Sequence, residues 1–222
     1  MRILLARHGE TQWNVEGRCQ GQGFDIPLSD PGRDQAMRLG ARLAGLPIRK
    51  AVASPLLRAR QTAELALGER LAERLADQAG FLTFDDRLME ICHGRWEGLV
   101  PSEIRAGYPE LHRAWRETPH LVQLPEGESL AQVEARAWAG LVSACSGLGP
   151  DDVVLIVTHD AVNRTLLCRI LGLPLARVWA FRQAPTCLNL LEGNDLDQLQ
   201  VVRLNDAAHL TPLFGEGVHR RL

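Results

Sequence analysis

The sequence predicts an α/β fold with a largely parallel sheet, and three observations support this class. Short apolar runs alternate along the chain with longer amphipathic segments. The clearest run, "DDVVLIVTH", holds five consecutive apolar residues, as strands buried on both faces do. Two runs, "ILLARH" and "VVLIVTH", end in a histidine. Strands that alternate with helices are typical of parallel sheets, whose ligands bind beyond the carboxyl ends of the strands.

The first third of the chain predicts two strands and two helices. Residues 2–6 form a short apolar run bounded by charge, which predicts a buried strand. A helix with Pro31 near its start follows over 28–46, and its apolar residues keep helical spacing on one face. Residues 50–55 predict a second strand. The segment from 56 to about 79 then predicts one long amphipathic helix rich in Ala, Leu, Glu and Arg.

The rest of the chain continues the alternation around one exception. Residues 81–88 predict a third strand, but 92–127 carry Gly, Pro, Trp and charge with only short helical pieces. We interpret 92–127 as a cap or lid inserted in a single domain that spans 1–222. Downstream, helix and strand patterns cover 129–146, 151–159, 160–173, 186–192 and 198–205, in the order helix, strand, helix, strand, strand. Ser129 is the predicted N-cap of the first of these.

Composition limits the classes of partner and compartment. The chain has 222 residues, with 25 basic against 27 acidic side chains, and this balance argues against nucleic acid or an anionic membrane as the main partner. Its five cysteines are odd in number and none are spaced C-x-x-C, which argues against a disulfide framework or a zinc site. No run reaches the roughly 18–20 apolar residues of a membrane helix. We predict a soluble, cytoplasmic protein.

The two histidines at strand ends, His8 and His159, are the first candidates for chemistry. A lone histidine is more often structural or exposed, but two strands that deliver one to the same sheet edge are a stronger indication. Gly9 lets the backbone approach a ligand closely. A neutral imidazole can act as a nucleophile and form a covalent intermediate.

Two arginines and a carboxylate extend this set. Arg58 lies in the first turn of a predicted helix, where a cation is unfavourable unless an anion is nearby, although a solvated surface arginine is an equal alternative. With Arg7 it would form a clamp for a phosphate. Glu90 is either a surface carboxylate or a general acid whose pKa rises beside a bound dianion.

Four segments together resemble one family. "ARHGETQWN", "SPLLRARQTAE", "MEICHGRWEG" and "VTHDAVNR" are similar to the signature segments of the histidine phosphatase (phosphoglycerate mutase-like) superfamily, in the family's order and from residue 1 to about 205. The resemblance implies a three-layer α/β/α sandwich with a mainly parallel central sheet and a small helical cap. It also implies a phosphatase that needs no metal or other cofactor. On this basis His8 is the nucleophile that becomes phosphohistidine, and Glu90 protonates the leaving group and later acts as base.

The resemblance also implies a set of phosphate-binding residues. Arg7 and Arg58 hold the transferring phosphoryl group, and His159 completes its pocket; all three belong to the catalytic set as well. Asn14 and Gln20 match positions that touch the phosphate or the transition state. The implied partner is a small phosphorylated metabolite, and a homodimer is kept open.

The segment after the acid favours a branch within the family. Glu90 is followed by "ICHGRWEGLVPSEI", and Gly127 comes only 37 positions later. This resembles the broad-specificity phosphatases, whereas the mutases carry an "ERxYGxLxGxNK" pattern and a long insertion. A cofactor-dependent phosphoglycerate mutase and a non-catalytic phosphate-binding module remain as alternatives, and the substrate stays open.

Two further points are expectations about individual residues. The family's usual "SHG" is "THD" here, and we interpret Asp160 as a cap of the helix that begins there. Four side chains of the 92–127 segment are candidates to line the pocket, with simple packing as an equal alternative: Trp96, Tyr108, Trp115 and His120.

Overall fold

A computed structural model describes residues 1–77 and 80–210 of the chain. Within these residues six strands form one sheet: β1 (Arg2–Arg7), β2 (Ile48–Ala53), β3 (Leu82–Phe84), β4 (Val153–Thr158), β5 (Leu188–Glu192) and β6 (Gln200–Asp206). Their order across the sheet is β3-β2-β4-β1-β5-β6. Strands β3, β2, β4 and β1 pair in parallel, and β5 runs antiparallel to both of its neighbours. The predicted α/β class with a mainly parallel sheet is confirmed.

Helices cover both faces of the sheet. The larger ones are α1 (Gln12–Glu16), α2 (Asp30–Leu43), α3 (Leu57–Leu67), α4 (Glu69–Asp77), α5 (Pro101–Gly107), α6 (Pro109–Glu117), α7 (Leu130–Cys145) and α8 (Asp160–Ile170). Helices α2 and α3 pack on one face and α7 and α8 on the other, which gives the three layers. Among the described residues, none of these helices combines the length and the apolar character that crossing a bilayer requires.

The period of two along a strand explains how the middle layer serves two cores. Leu4 of β1 and Leu155 of β4 join the cluster that contains α2 and α3. Ile3 and Leu5 of β1, with Ile156 of β4, join the cluster that contains α7 and α8. Successive side chains point to opposite faces, so a strand covered on both faces has a nearly continuous apolar run. β4 is buried throughout and is apolar up to its last residue, Thr158.

Local signals set the helix starts as the sequence predicts. Ser29 caps α2 by accepting a hydrogen bond from the N–H of Gly32, and a proline follows in the first turn. Ser129 caps α7, where its hydroxyl and the Gln132 side chain satisfy each other's backbone N–H groups.

The single helix predicted over residues 56–79 is wrong. The chain forms two helices, α3 and α4, separated by Gly68 at φ 51° and ψ −134°. Only glycine adopts that conformation readily, so the helical repeat stops there even though the amphipathic pattern continues. Positions 78 and 79 of the predicted helix lie outside the described residues.

The strand predicted over 81–88 is shorter than expected. β3 ends at Phe84, and a 3₁₀ turn follows over Asp86–Leu88. Asp85 causes the change, because its carboxylate accepts a hydrogen bond from the N–H of Arg87 and so favours a turn.

The 92–127 segment folds as short helices, α5 and α6 between two 3₁₀ turns. Trp96, Ile104 and Trp115 anchor it, since all three are buried in the α7–α8 side of the core. The division into one domain with a cap stays a prediction.

Candidate active site

The carboxyl ends of two neighbouring strands bring His8 and His159 together. Strands β1 and β4 pair with Arg7 opposite Thr158, so the residues that follow them are also neighbours. The two imidazole centroids are 5.1 Å apart, and both side chains are buried.

The backbone selects one tautomer of the His8 ring. Nδ1 of His8 lies 2.6 Å from the carbonyl oxygen of Gly9. A carbonyl oxygen only accepts, so Nδ1 donates to it, and in the neutral ring the lone pair is on Nε2. Gly9 is required here, because a Cβ would lie 2.6 Å from the carbonyl oxygen of Gly32. Its own N–H donates to Thr62 Oγ1 at 2.9 Å, which fixes the turn.

Arg58 is a fully buried cation, and two of its guanidinium nitrogens have no hydrogen-bond partner among the described residues. Nη2 donates to the carbonyl oxygen of Gly21 at 2.8 Å, but Nε and Nη1 have no hydrogen-bond partner among the described residues. Burial lowers the pKa of Arg58 to about 10, which leaves the guanidinium charged at neutral pH. A buried charge with open donors is costly unless an anion pairs with it. The geometry therefore suits an anionic group beside Arg58.

His159 is held as a neutral ring. Its Nε2 lies 2.8 Å from Oγ of Ser54. Ser54 directly follows β2, so the end of a third strand contributes to the same edge of the sheet. Burial, with the nearby charge of Arg58, lowers the pKa of His159 well below its ordinary value. A neutral imidazole can donate one hydrogen bond without adding a further buried charge.

Glu90 is a buried carboxyl group on a fixed backbone. Burial raises its pKa, and the charge of Asp160 raises it further. Glu90 Oε1 accepts from the N–H of Ile91 at 2.9 Å. The carbonyl oxygen of Glu90 accepts from Arg136 Nη2 at 2.9 Å and from Gln22 Nε2 at 2.6 Å. A carboxyl group in this setting favours the protonated form.

A cavity of about 210 Å³ opens over this edge of the sheet. Of the seven residues that the resemblance singles out, four line it: Arg7, Asn14, Gln20 and Glu90. The other three, His8, Arg58 and His159, are buried next to residues of its wall. The structure thus brings all seven to one place.

The sequence matches a family model over nearly its whole length. The model, "Histidine phosphatase superfamily (branch 1)", covers residues 3–207. The chain belongs to the histidine phosphatase superfamily. The resemblance of its four segments to this superfamily is confirmed.

Individual relatives of this histidine phosphatase carry different names. It is 31% identical to phosphoserine phosphatase 1 of Hydrogenobacter thermophilus, over 97% of each chain. It is 36% identical to the probable phosphoglycerate mutase GpmB of Salmonella arizonae, over 82% of this chain and 79% of that one. A mycobacterial glucosyl-3-phosphoglycerate phosphatase in complex with VO3 superimposes with a TM-score of 0.79 at 32% identity, over 92% of this chain and 98% of the other. The family and these phosphatases confirm the predicted enzyme class.

Asp160 of this histidine phosphatase does not have the role expected of it. The N-cap of α8 is His159, and Asp160 is the first residue of the helix. Its carboxylate instead pairs with Arg164 at 3.0 Å and lies 3.8 Å from Arg7 Nη1. The capping interpretation is wrong, because the ion pairs draw the carboxylate toward the guanidinium groups.

Several residues that support the site carry no sequence signal. Arg136 and Glu128 form a two-pronged ion pair that fixes the chain at Glu90. The carbonyl oxygen of Gln183 accepts from Arg7 Nη1 at 2.6 Å. Ser54, which contacts His159, is the exception, because the sequence places it at the end of a predicted strand, just before a proline. The others come from distant parts of the chain, and only the fold places them.

Of the four candidates from the 92–127 segment (Trp96, Tyr108, Trp115 and His120), one lines the cavity. Trp115 is in the wall, whereas Trp96 is buried in the core beside it. Trp179 and Phe181, which the sequence did not single out, complete the apolar side. Trp179 Nε1 donates to the carbonyl oxygen of Trp115 at 3.1 Å, so this wall is tied together.

The described residues contain no group of three or more His, Cys, Asp and Glu side chains placed to hold a metal ion. The five cysteines lie within the same ranges, and none is bonded to another.

Proposed function

We propose that this histidine phosphatase is a metal-independent phosphomonoester hydrolase that acts on small phosphorylated metabolites through a phosphohistidine at His8. The observation that supports it most is the presence of His8 and Arg58, both buried, beside the same histidine, His159. His8 offers an imidazole lone pair, and Arg58 offers two buried donors without a partner among the described residues. A phosphoryl group satisfies both needs.

In the first step His8 Nε2 attacks phosphorus. A P–N bond forms as the P–O ester bond breaks, and the leaving oxygen takes the proton of Glu90. The raised pKa of Glu90 supports this role, because a general acid must still hold its proton near neutral pH. General acid catalysis contributes typically ~10²–10⁴-fold.

In the second step water attacks the phosphohistidine. Glu90, now ionised, takes a proton from the water, the P–N bond breaks, and inorganic phosphate leaves. Arg7 and Arg58 offset the charge of the phosphoryl oxygens in both steps, and neutral His159 donates a hydrogen bond. Losing one preorganised donor of this kind costs on the order of 10²–10³-fold.

Cofactor-dependent phosphoglycerate mutase is the second candidate, and its support is the relative named as a probable mutase. The short segment after Glu90 and the missing mutase pattern favour hydrolysis. A non-catalytic phosphate-binding module has no need of a buried carboxyl group with a raised pKa at position 90.

A panel of phosphomonoesters tests the proposal. Phosphate release is followed with a metal chelator present, and with or without 2,3-bisphosphoglycerate. Hydrolysis that survives the chelator and outpaces interconversion of 3- and 2-phosphoglycerate is expected. Activity that is lost to the chelator and restored by magnesium or zinc would contradict metal independence. Faster interconversion than phosphate release would reassign the chain to the mutases.

The cavity volume of about 210 Å³ supports a small substrate. Residence in the cytoplasm and a homodimeric state stay predictions.

A further inference from the structure

His93 lies in the wall of the active-site cavity, three positions after Glu90, and the mechanism above gives it no role. Its side chain is buried, and it lines the same cavity as Glu90. A histidine at such a place either packs or recognises something that enters the cavity.

The His93 imidazole is not satisfied by the protein. Nδ1 is buried and has no hydrogen-bond partner among the described residues. His8 Nδ1 pairs with Gly9 and His159 Nε2 pairs with Ser54, although His159 Nδ1 is also buried without a partner among the described residues. Leaving a buried polar atom unpaired destabilises the folded state. A polar group brought by a ligand would remove that penalty.

The ring is held rigidly in the wall. The N–H of His93 donates to Glu97 Oε1 at 3.1 Å, and the ring meets Trp115 edge-on at 6.5 Å between centroids. The next residue, Gly94, has φ 54°, and a Cβ there would lie 2.0 Å from the carbonyl oxygen of Pro125. A side chain fixed in this way can select a ligand without first being ordered.

Burial makes His93 a neutral ring near neutral pH. Burial is the main cause and lowers its pKa to about 4, and Arg58 acts in the same direction. Glu97, Asp160 and Glu128 act in the opposite direction but do not cancel the effect of burial. A neutral imidazole offers one donor and one acceptor, as a hydroxyl group does.

We propose that His93 is a specificity-determining residue that hydrogen-bonds a hydroxyl group on the alcohol half of the substrate. Its place beside Glu90, the acid assigned to the leaving oxygen, sets that hydroxyl close to the ester bond. The enzyme therefore prefers polyol and sugar phosphates to phosphomonoesters of apolar alcohols, which leave the imidazole unpaired. This inference rests on the proposed hydrolase function.

The test compares two substrates with the same three-carbon chain, glycerol 3-phosphate and n-propyl phosphate. The measured quantity is kcat/KM for glycerol 3-phosphate divided by kcat/KM for n-propyl phosphate. The two alcohols differ in leaving-group ability, but this difference is the same for every variant and cancels when the ratios are compared. His93→Leu should lower the ratio by roughly tenfold or more, the worth of one hydrogen bond to a buried group. It should also raise kcat/KM for propyl phosphate, because an apolar wall replaces the imidazole.

Two further variants make the result specific. His93→Gln keeps a donor and an acceptor and should restore part of the ratio, and it serves as the test if His93→Leu does not fold. His112→Leu makes the same change at a buried histidine of α6 that does not line the main cavity, and should keep the ratio within about twofold of the native value.

Other outcomes overturn the inference. An equal loss with both substrates in His93→Leu would mean that His93 only supports the pocket, and an unchanged ratio would mean that it does not contact substrate. Both results require an active native enzyme. A native enzyme that releases no phosphate from p-nitrophenyl phosphate and forms no phosphoenzyme would contradict the hydrolase function instead.

Discussion

At the scale of single residues, the candidate site combines three buried groups of different chemistry. Nδ1 of His8 faces the carbonyl oxygen of Gly9, and the proposed mechanism uses its other ring nitrogen as the nucleophile. Arg58 has two buried donors without a partner among the described residues, and Glu90 is a carboxyl group whose pKa burial raises. A phosphate ester supplies the electrophile, the anion and the leaving oxygen that these three groups require.

The role of Glu90 predicts a dependence on the leaving group. An alkyl alcohol needs a proton as it leaves, whereas nitrophenolate needs little help. Glu90→Gln should slow phosphorylation by a sugar phosphate about 10²–10⁴-fold and phosphorylation by p-nitrophenyl phosphate clearly less. Single-turnover measurements are required, because Glu90 also acts in the second step.

Arg58→Ala is the control for this prediction. It removes charge stabilisation that both substrates need, so its cost should be similar for the two, on the order of 10²–10³-fold. If Glu90→Gln slows both substrates equally, the acid role is wrong, and Glu90 instead holds the shape of the pocket.

At the scale of elements, the strand ends gather the chemistry and a helix holds it in place. His8, His159 and Ser54 directly follow β1, β4 and β2. Helix α7 supplies Arg136, which donates to the carbonyl oxygens of Arg87, Met89 and Glu90. The backbone at the proposed acid is thus held by a side chain from a distant helix.

Arg136→Lys tests this positioning role. Lysine keeps the charge but lacks the planar fork through which Arg136 donates to Glu128 and to three carbonyl oxygens. We expect kcat/KM to fall by roughly tenfold with a sugar phosphate. The loss with p-nitrophenyl phosphate should be smaller, as for Glu90→Gln. An equal loss with both substrates would indicate a general structural defect.

The break between α3 and α4 gives a prediction about stability. Gly68→Ala places a Cβ at φ 51° and ψ −134°, where it meets no close atom but the backbone is strained. The free energy of unfolding in urea should fall by about 1–3 kcal/mol. Gly107→Ala is the matched control, since it lies in α5 with open space around it, and it should be neutral or slightly stabilising. Equal effects of the two changes would contradict the account of the break.

At the scale of the whole molecule, the sequence predicts the layers and the strand-end residues but not their supports. The apolar runs indicate strands that are buried on both faces. The histidines that follow two of these runs indicate the sheet edge where a ligand binds. Arg136 and Gln183 carry no such pattern, because their partners are main-chain oxygens far away in sequence. Gly68 was missed because amphipathic spacing continues through it while the backbone does not.

Buried neutral histidines make the stability of the molecule depend on pH. The pKa of His93 is about 4 in the folded chain, against an ordinary value of 6.5. Between these values the unfolded chain binds more protons, so the free energy of unfolding falls as pH drops from 6.5 towards 4, by roughly 3 kcal/mol at most from this residue. His159 acts in the same direction. Urea unfolding of the native chain and of His93→Leu across this range checks the prediction. The free energy of unfolding of the native chain minus that of His93→Leu should fall as pH drops, and a constant difference would contradict the prediction.

The central claim is that His8 carries the phosphoryl group. A labelled substrate mixed with the enzyme and quenched within milliseconds should yield a phosphoprotein that is stable in base and labile in acid. The label should map to the tryptic peptide over residues 8–18, disappear in His8→Ala and persist in His112→Ala. A label on another residue, or none in a fast-quench series that still releases phosphate, would contradict the account.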